Sequence, residues 1–370
     1  MTRRRWIMLG AAALAAVVLL GGGALAVGYA LRDRYEVPTA DLFGTPTPSI
    51  SISPSATPSP TPPPGADITG PLNLLIVGVD TREDDPTWEP HADAVTILHV
   101  PRGLKTGYMF SLPRDLVVDI PRFPKSGYRG GRTKLTHAMS EGSRRGDAKP
   151  DVAQGFQLLA QTVSRYTGIK RFDAGAVLTF TGFRKLVDAL GGVDIYVDQR
   201  TPSQHLRPDG RGRSAGGGPA GYGGPQMVYE VGMRHLVGWQ ALDYSRQRYL
   251  PGGDYTRQRH HQQLIRAVLA KAFSLDVARN PLEVDRVLRA LGQTLTFDGR
   301  GRPALDYAYA LSGLRPAALT LVTLPGSGVG RGSGYQGEQL TAESRKFISE
   351  LVAGRADAYL RGHPALVVRK

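Results

Sequence analysis

The chain has no cysteine among its 370 residues. That excludes a disulfide scaffold, a cysteine nucleophile and any thiolate metal site. Acidic residues are the next shortage: 32 Asp plus Glu stand against 46 Lys plus Arg, for a formal charge of +14. Such a surplus favours partners that carry phosphate or other anionic groups, whether nucleic acid, anionic lipid or lipid-linked phosphates. No repeat at solenoid spacing is visible, and no DNA-binding motif stands out. What is present suffices for a folded domain. Hydrophobic residues make up 41% and charged residues 21%, which excludes disorder throughout.

The first residues are not globular sequence. Arg3, Arg4 and Arg5 precede an uncharged run from Trp6 to Leu31. As a helix this run measures about 39 Å, enough to cross a hydrocarbon core of about 30 Å with some tilt. The arginines place residues 1–5 in the cytoplasm and everything after Leu31 outside. Ala24-Leu25-Ala26 also resembles a signal-peptidase site, but the run is long for a signal peptide, so a retained anchor over 6–31 is the expectation. Residues 32–69 read as a linker. Its stretch from Gly44 to Ala66 is dense in Pro, Ser and Thr, cannot bury a core and favours an extended stalk.

A domain is expected over 70–360, followed by a short tail at 361–370. Asn73–Val79, Ala94–Val100, Tyr108–Leu112, Ala174–Leu178, Val193–Val197 and Ala318–Leu324 read as strands. Helices are predicted over Val152–Tyr166, capped by Asp151 and stopped by Gly168, and over Phe183–Leu190, Arg257–Phe273 and Thr341–Val352. Another is predicted to start at Asn280-Pro281. Arg207–Gly224 reads as a Gly-rich mobile loop. The alternation predicts an α/β fold, a sandwich with a central mixed sheet.

Short motifs cluster at the predicted element ends. Gly78-Val79-Asp80-Thr81-Arg82 puts a carboxylate and a cation at the end of a strand, where α/β sheets bind ligands. His91-Ala92-Asp93 opens the next strand, so Asp80 and Asp93 can meet at one edge. Two carboxylates completed by phosphate oxygens and waters suit Mg²⁺; either aspartate alone reads as well as a turn cap. Ser111-Leu112-Pro113-Arg114-Asp115 sets Arg114 at a strand end. Lys134 in Lys134-Leu135-Thr136-His137-Ala138 reads as a phosphate-binding point charge or as a solvated lysine. Leu236–Tyr244 leads into Ser245-Arg246-Gln247-Arg248, where alternate arginines on an extended segment would share a face. Asp254 and Arg257 stand three apart at the mouth of a helix. Arginine's planar fork suits bidentate phosphate contact. Together these residues describe a metal-assisted diphosphate site.

This ordered set of motifs resembles the LytR-CpsA-Psr family over roughly residues 70–275. The resemblance implies a three-layer α/β/α fold with a pocket for a polyprenyl chain. It also implies a phosphotransferase that moves a glycopolymer from a polyprenyl-diphosphate carrier onto a peptidoglycan hydroxyl, releasing polyprenyl phosphate. By motif, Asp80 and Asp93 would hold Mg²⁺. Arg82, Arg114, Arg246, Arg248 and Arg257 would clamp the diphosphate, with Lys134 near it and Asp254 orienting the arginines. Asp80, Asp93, Arg114 and Arg248 would be the catalytic set, with Asp80 or Asp93 the candidates for taking the hydroxyl proton. His91-Ala92-Asp93 and His260-His261 depart from the family pattern, which often carries arginine at the first of each. The implied partners are the lipid-linked donor, peptidoglycan and the cytoplasmic membrane, with no nucleic acid. Rival expectations are a non-catalytic membrane-tethered binding or regulatory protein and a lipid-diphosphate hydrolase. Phe156, Leu158, Leu159, Val163, Phe180, Phe183, Leu186 and Val187 read as core or as the walls of a lipid slot.

Overall fold

The computed structural model describes residues 39–44, 65–80, 85, 87–146, 148–216, 222–247, 250–272, 292, 295–311, 313–330 and 334–368. The apolar run at 6–31, most of the Pro-rich stretch, Arg82, Arg248 and the helix start at Asn280 lie outside the described residues, as do the side chains of Asp80 and Asp254. Among the described residues, no helix is long and apolar enough to cross a membrane.

The strands in chain order are β1 (Leu72–Asp80), β2 (His91–Val100), β3 (Gly107–Leu112), β4 (Val117–Ile120), β5 (Gly131–Lys134), β6 (Ala174–Thr179), β7 (Val193–Val197) and β8 (Thr201–Pro202). They continue as β9 (Ser214–Ala215), β10 (Tyr222–Gly223), β11 (Val228–Tyr229), β12 (Gly232–Leu236), β13 (Leu295–Asp298), β14 (Leu319–Val322), β15 (Gly326–Val329) and β16 (Gly337–Leu340). The helices are α1 (Thr136–Ser143), α2 (Val152–Thr167), α3 (Phe180–Ala189), α4 (Gly238–Ser245), α5 (Gly253–Ala272), α6 (Ala304–Ala310), α7 (Ala342–Val352) and α8 (Ala356–Gly362).

A mixed sheet runs in the order β13-β6-β1-β2-β3-β14. β1 pairs parallel with β6, β14 pairs parallel with β3, and the other neighbours are antiparallel. β1 is apolar on both faces, and its alternation feeds two cores. Leu72, Leu74 and Ile76 face one; Leu75, Val77 and Val79 face the other. Phe180 and Phe183 of α3, Leu242 of α4 and Leu264 of α5 close the first core. Phe156 and Leu159 of α2 and Phe347 of α7 close the second. The helices start where short-range chemistry places them. The Asp151 carboxylate accepts the Gln154 N–H at 3.0 Å, and Gly168 ends α2 in the left-handed region at φ 77°.

The apolar side chains read as core or as a lipid slot are core, divided by the sheet: Phe156, Leu158, Leu159 and Val163 lie in one core, and Phe180, Phe183, Leu186 and Val187 in the other. Three expectations change. The tail is part of the domain, because Leu366 is 1% exposed and the Val368 N–H donates to the Leu321 carbonyl. The described part of the Gly-rich loop is folded into the β9–β10 ladder, pinned by Arg213, which donates to the carbonyls of Gln204, Tyr222 and Gly224. Finally, residues 39–44 dock on the domain instead of belonging to a stalk. Thr39 bridges Phe297 of β13, Leu42 is fully buried with its N–H on Asp298, and the Phe43 ring meets Phe156 edge-on. Burying one leucine contributes roughly 1.5–3 kcal/mol towards holding the segment.

Candidate functional site

One edge of the sheet gathers the C-terminal ends of β1, β3 and β6 and the N-terminal end of β2. Asp80 is the last residue of β1 and pairs with His91. The register then slips: Val79 pairs with Ala92 and Gly78 with Ala94, so Asp93 is the extra residue of a β-bulge. Bulges re-aim side chains at sheet ends. Here the Asp93 carboxylate accepts a hydrogen bond from Arg114 Nη1, two residues beyond β3. The Asp93 side chain is 1% exposed and that of Arg114 18%, so the ion pair is largely withdrawn from water.

The cluster extends outward. Asp115 Oδ1 lies 3.7 Å from Arg114 Nε and 3.6 Å from Lys134 Nζ. Backbone hydrogen bonds hold the two segments together: Thr136 N–H donates to the Arg114 carbonyl at 2.9 Å and Leu135 N–H to that of Leu116 at 2.8 Å. Lys134 Nζ also sits 5.0 Å above the Tyr335 ring. His137 shares a 2.9 Å hydrogen bond with Thr133, and its ring lies 6.3 Å from that of His91. Burial first, then the neighbouring charges of His91 and Lys134, push the His137 imidazole below its ordinary value, against the opposing Asp115. A neutral imidazole at pH 7 follows.

Residues without a sequence signal complete this patch. Glu338 of β16 donates its N–H to the Asp115 carbonyl at 2.7 Å. Its carboxylate accepts from Tyr335 Oη at 2.7 Å and Tyr255 Oη at 3.1 Å. Tyr255 lies in the first turn of α5, so this carboxylate ties the helix carrying Asp254 and Arg257 to the Arg114 loop. The approach needs Gly326, where a Cβ would stand 2.5 Å from Tyr255 Oη.

The remaining sequence candidates divide. Arg246 does not lie on an extended segment: it caps the C-terminus of α4, with Cζ 6.0 Å from the Phe180 ring centre at the start of α3. Phe180 follows the last residue of β6, so Arg246 reaches the same sheet edge from the other face. Arg257 is 1% exposed inside α5. His260 and His261, where the family pattern breaks, are buried as well. His260 Nε2 is 3.2 Å from the Asp198 carboxylate just past β7, and its ring stacks on Tyr244 at 4.3 Å. Burial would raise the Asp198 carboxyl, but hydrogen bonds and charge from His260 and Arg259 prevail and hold it at about 2. That histidine anchors α5 to β7. Among the described residues no group of three or more His, Cys, Asp and Glu side chains could hold a metal ion.

Chemically, the edge offers the Arg114 guanidinium and the Lys134 ammonium, positioned by Asp93 and Asp115, on one face and the Arg246 guanidinium beside Phe180 on the other. Cations so placed suit a phosphate-bearing ligand.

The model of the LytR_cpsA_psr family matches residues 45–349. The chain is 30% identical to the polyisoprenyl-teichoic acid–peptidoglycan teichoic acid transferase TagU of Enterococcus faecalis, over 65% of this chain and 67% of that one. It is 27% identical to the corresponding transferase TagT of Bacillus subtilis, over 63% of this chain and 60% of that relative's length. The crystal structure of Bacillus subtilis TagV superposes with a TM-score of 0.56 at 20% identity, covering 77% of this chain and 97% of TagV. At that identity the likeness is one of fold.

Proposed function

The chain belongs to the LytR-CpsA-Psr family, and from that membership we propose that it transfers a glycopolymer from a polyprenyl-diphosphate carrier to a peptidoglycan hydroxyl. The observation that carries this reading is the meeting of Asp93, Arg114, Asp115 and Lys134 at the sheet edge where β1 ends in Asp80. Curated relatives named as teichoic acid transferases support the reaction class.

In this reading the acceptor hydroxyl attacks the sugar-proximal phosphorus. A new O–P bond forms, the P–O bond to the bridging oxygen breaks, and polyprenyl phosphate leaves. Transfer of this kind requires in-line positioning and neutralised phosphate oxygens more than covalent help. Arg114 and Lys134 provide charge from one face and Arg246 from the other. Arg82 and Arg248 join them by motif. Asp93 is engaged with Arg114 and holds that guanidinium in place. Asp80 then takes the hydroxyl proton. Arg257, enclosed in α5, supports the helix mouth rather than the outer phosphate.

Asp80 ends β1 opposite His91, and Asp93 is the bulge residue two positions further along the adjacent antiparallel strand. That all-oxygen donor pair fits Mg²⁺, which takes one or two carboxylates and leaves its other positions to phosphate and water. When bound there, the ion would add positive charge beside the diphosphate oxygens.

The apolar run at 6–31 serves in this proposal as the membrane anchor, with the domain outside. Because residues 39–44 are docked on the domain, the tether shortens to 32–38, at most about 25 Å when extended. The domain therefore stays close to the bilayer, where a polyprenyl carrier resides. The test is incubation of the detergent-solubilised full chain with a synthetic polyprenyl-diphosphate sugar, a wall acceptor and Mg²⁺, identifying both products. Polyprenyl phosphate together with an acceptor-linked phosphodiester is the expected outcome. Release of sugar phosphate to water at the same rate without acceptor would make the protein a hydrolase.

A further inference from the structure

Between α4 and the segment joining β8 to β11 lies a cleft of about 250 Å³. Its lining includes Arg184 of α3, Asp209, Gly210 and Arg211 of the connecting segment, Trp239 of α4 and Arg246 at the C-terminal cap of α4. The segment is built onto α4. Buried Asp243 accepts from Ser203 Oγ at 3.0 Å, Tyr229 Oη at 2.9 Å and Gln247 Nε2 at 3.0 Å. These bonds fix both ends of the segment to the helix. Gly210, at φ 77°, passes so close to the indole that a Cβ would stand 3.2 Å from Trp239. The Arg184 Nε is buried and makes no hydrogen bond among the described residues. The cleft thus combines three guanidinium groups, an aromatic plane and one exposed carboxylate. The Asp243 carboxylate is occupied by its three donors.

This mixture differs from a plain phosphate clamp. The guanidinium forks suit a phosphate or phosphodiester. An indole offers a flat apolar face with a polar edge, which suits the C–H face of a pyranose ring. Asp209 can accept from ring hydroxyls. Concave sites of this kind use a few polar groups to fix orientation against an apolar wall. Arg246 joins the cleft to the sheet edge through Phe180. We propose that the cleft is a saccharide subsite that binds a phosphate-bearing hexose of the donor's glycan, with Trp239 under the ring, Arg184 and Arg211 on the phosphate and Asp209 on a hydroxyl. The assignment to the donor rests on the transfer reading above. The binding chemistry does not.

The experiment is calorimetric titration of the detergent-solubilised full chain with glucose 1-phosphate, with inorganic phosphate and with methyl glucoside. Glucose 1-phosphate binds saturably and more tightly than either other probe. Arg211→Ala, an exposed loop substitution, weakens it at least tenfold. Trp239→Ala brings its affinity down to that of inorganic phosphate. The subsite is overturned if the unaltered chain gives no saturable binding, if inorganic phosphate binds as well as the sugar phosphate, or if both variants stay within twofold. Transfer is measured on the same protein. Sugar-phosphate binding without transfer removes the functional reading and upholds the subsite; transfer without such binding does the reverse.

Discussion

Arg114→Ala offers the sharpest test of how the sheet edge is held. It deletes the guanidinium that faces Asp93, whose side chain is only 1% exposed. Removing one partner of a buried ion pair leaves the other charge uncompensated, at a cost of about 3–5 kcal/mol. Arg114 itself is 18% exposed, so water reaching the vacated space lowers the expected cost to about 3 kcal/mol. In a domain of this size that is a fall in Tm of about 6 °C or somewhat more. Adding Asp93→Asn removes the stranded charge. The double variant should therefore recover about 2 kcal/mol relative to Arg114→Ala, a coupling that a double-mutant cycle measures directly. The assay is thermal unfolding of the full chain in detergent, followed by far-UV circular dichroism for the four proteins in one buffer. Additive effects of the two substitutions, or an Arg114→Ala loss below about 0.5 kcal/mol, would refute the buried pairing.

Other consequences follow from separate parts of the fold. Glu338→Gln weakens the hold on Tyr255 and Tyr335 at the mouth of α5; transferase turnover should fall at least fivefold while Tm shifts by less than about 3 °C, and unchanged turnover would remove Glu338 from the site. Leu42→Ala should destabilise the domain by about 2–4 kcal/mol and expose residues 39–44 to limited proteolysis; equal cleavage of both proteins would mean the segment is not docked. Asp198 sits at about 2 when folded and near 3.9 when unfolded. Its contribution is therefore present above about pH 4 and lost as pH falls towards 2, amounting to about 1–2 kcal/mol for a carboxylate still partly in water. In Asp198→Asn, urea titrations at pH 5 and pH 3 should show a smaller acid loss than in the unaltered chain, and an identical loss would count against the His260–Asp198 anchor.

Much of the layout was legible from one-dimensional patterns, for identifiable reasons. The unbroken apolar stretch of β1 announces a strand buried on both faces, because alternation supplies two cores at once. Asp151 and Gly168 mark the ends of α2 through interactions within a few residues. The site motifs were visible as charges at element ends. Which of them meet was not. The Asp93–Arg114 pair depends on a bulge of one residue between two strands, and neither strand signals it. Glu338 carries no motif, because its contacts with Asp115 and Tyr255 join segments far apart in the chain. Residues 39–44 were placed in a linker, since their apolar pair Leu42 and Phe43 is too short to signal burial and the Pro-rich run beside it dominates the composition.

Local propensity and spacing therefore determine, from the amino acids alone, the α/β character and a set of cationic and acidic candidates, while the order of the short motifs carries the resemblance to the family. Those are properties of short windows, where hydrogen bonds and side-chain alternation act over a few residues. The tertiary structure alone decides that Asp93 holds Arg114, that Arg246 approaches from the opposite face, that Arg257 and His260 are enclosed, and that α4 shares a cleft with the segment between β8 and β11. Each of those outcomes depends on register, burial and long-range pairing, and these exist only once the sheet and its two cores have formed.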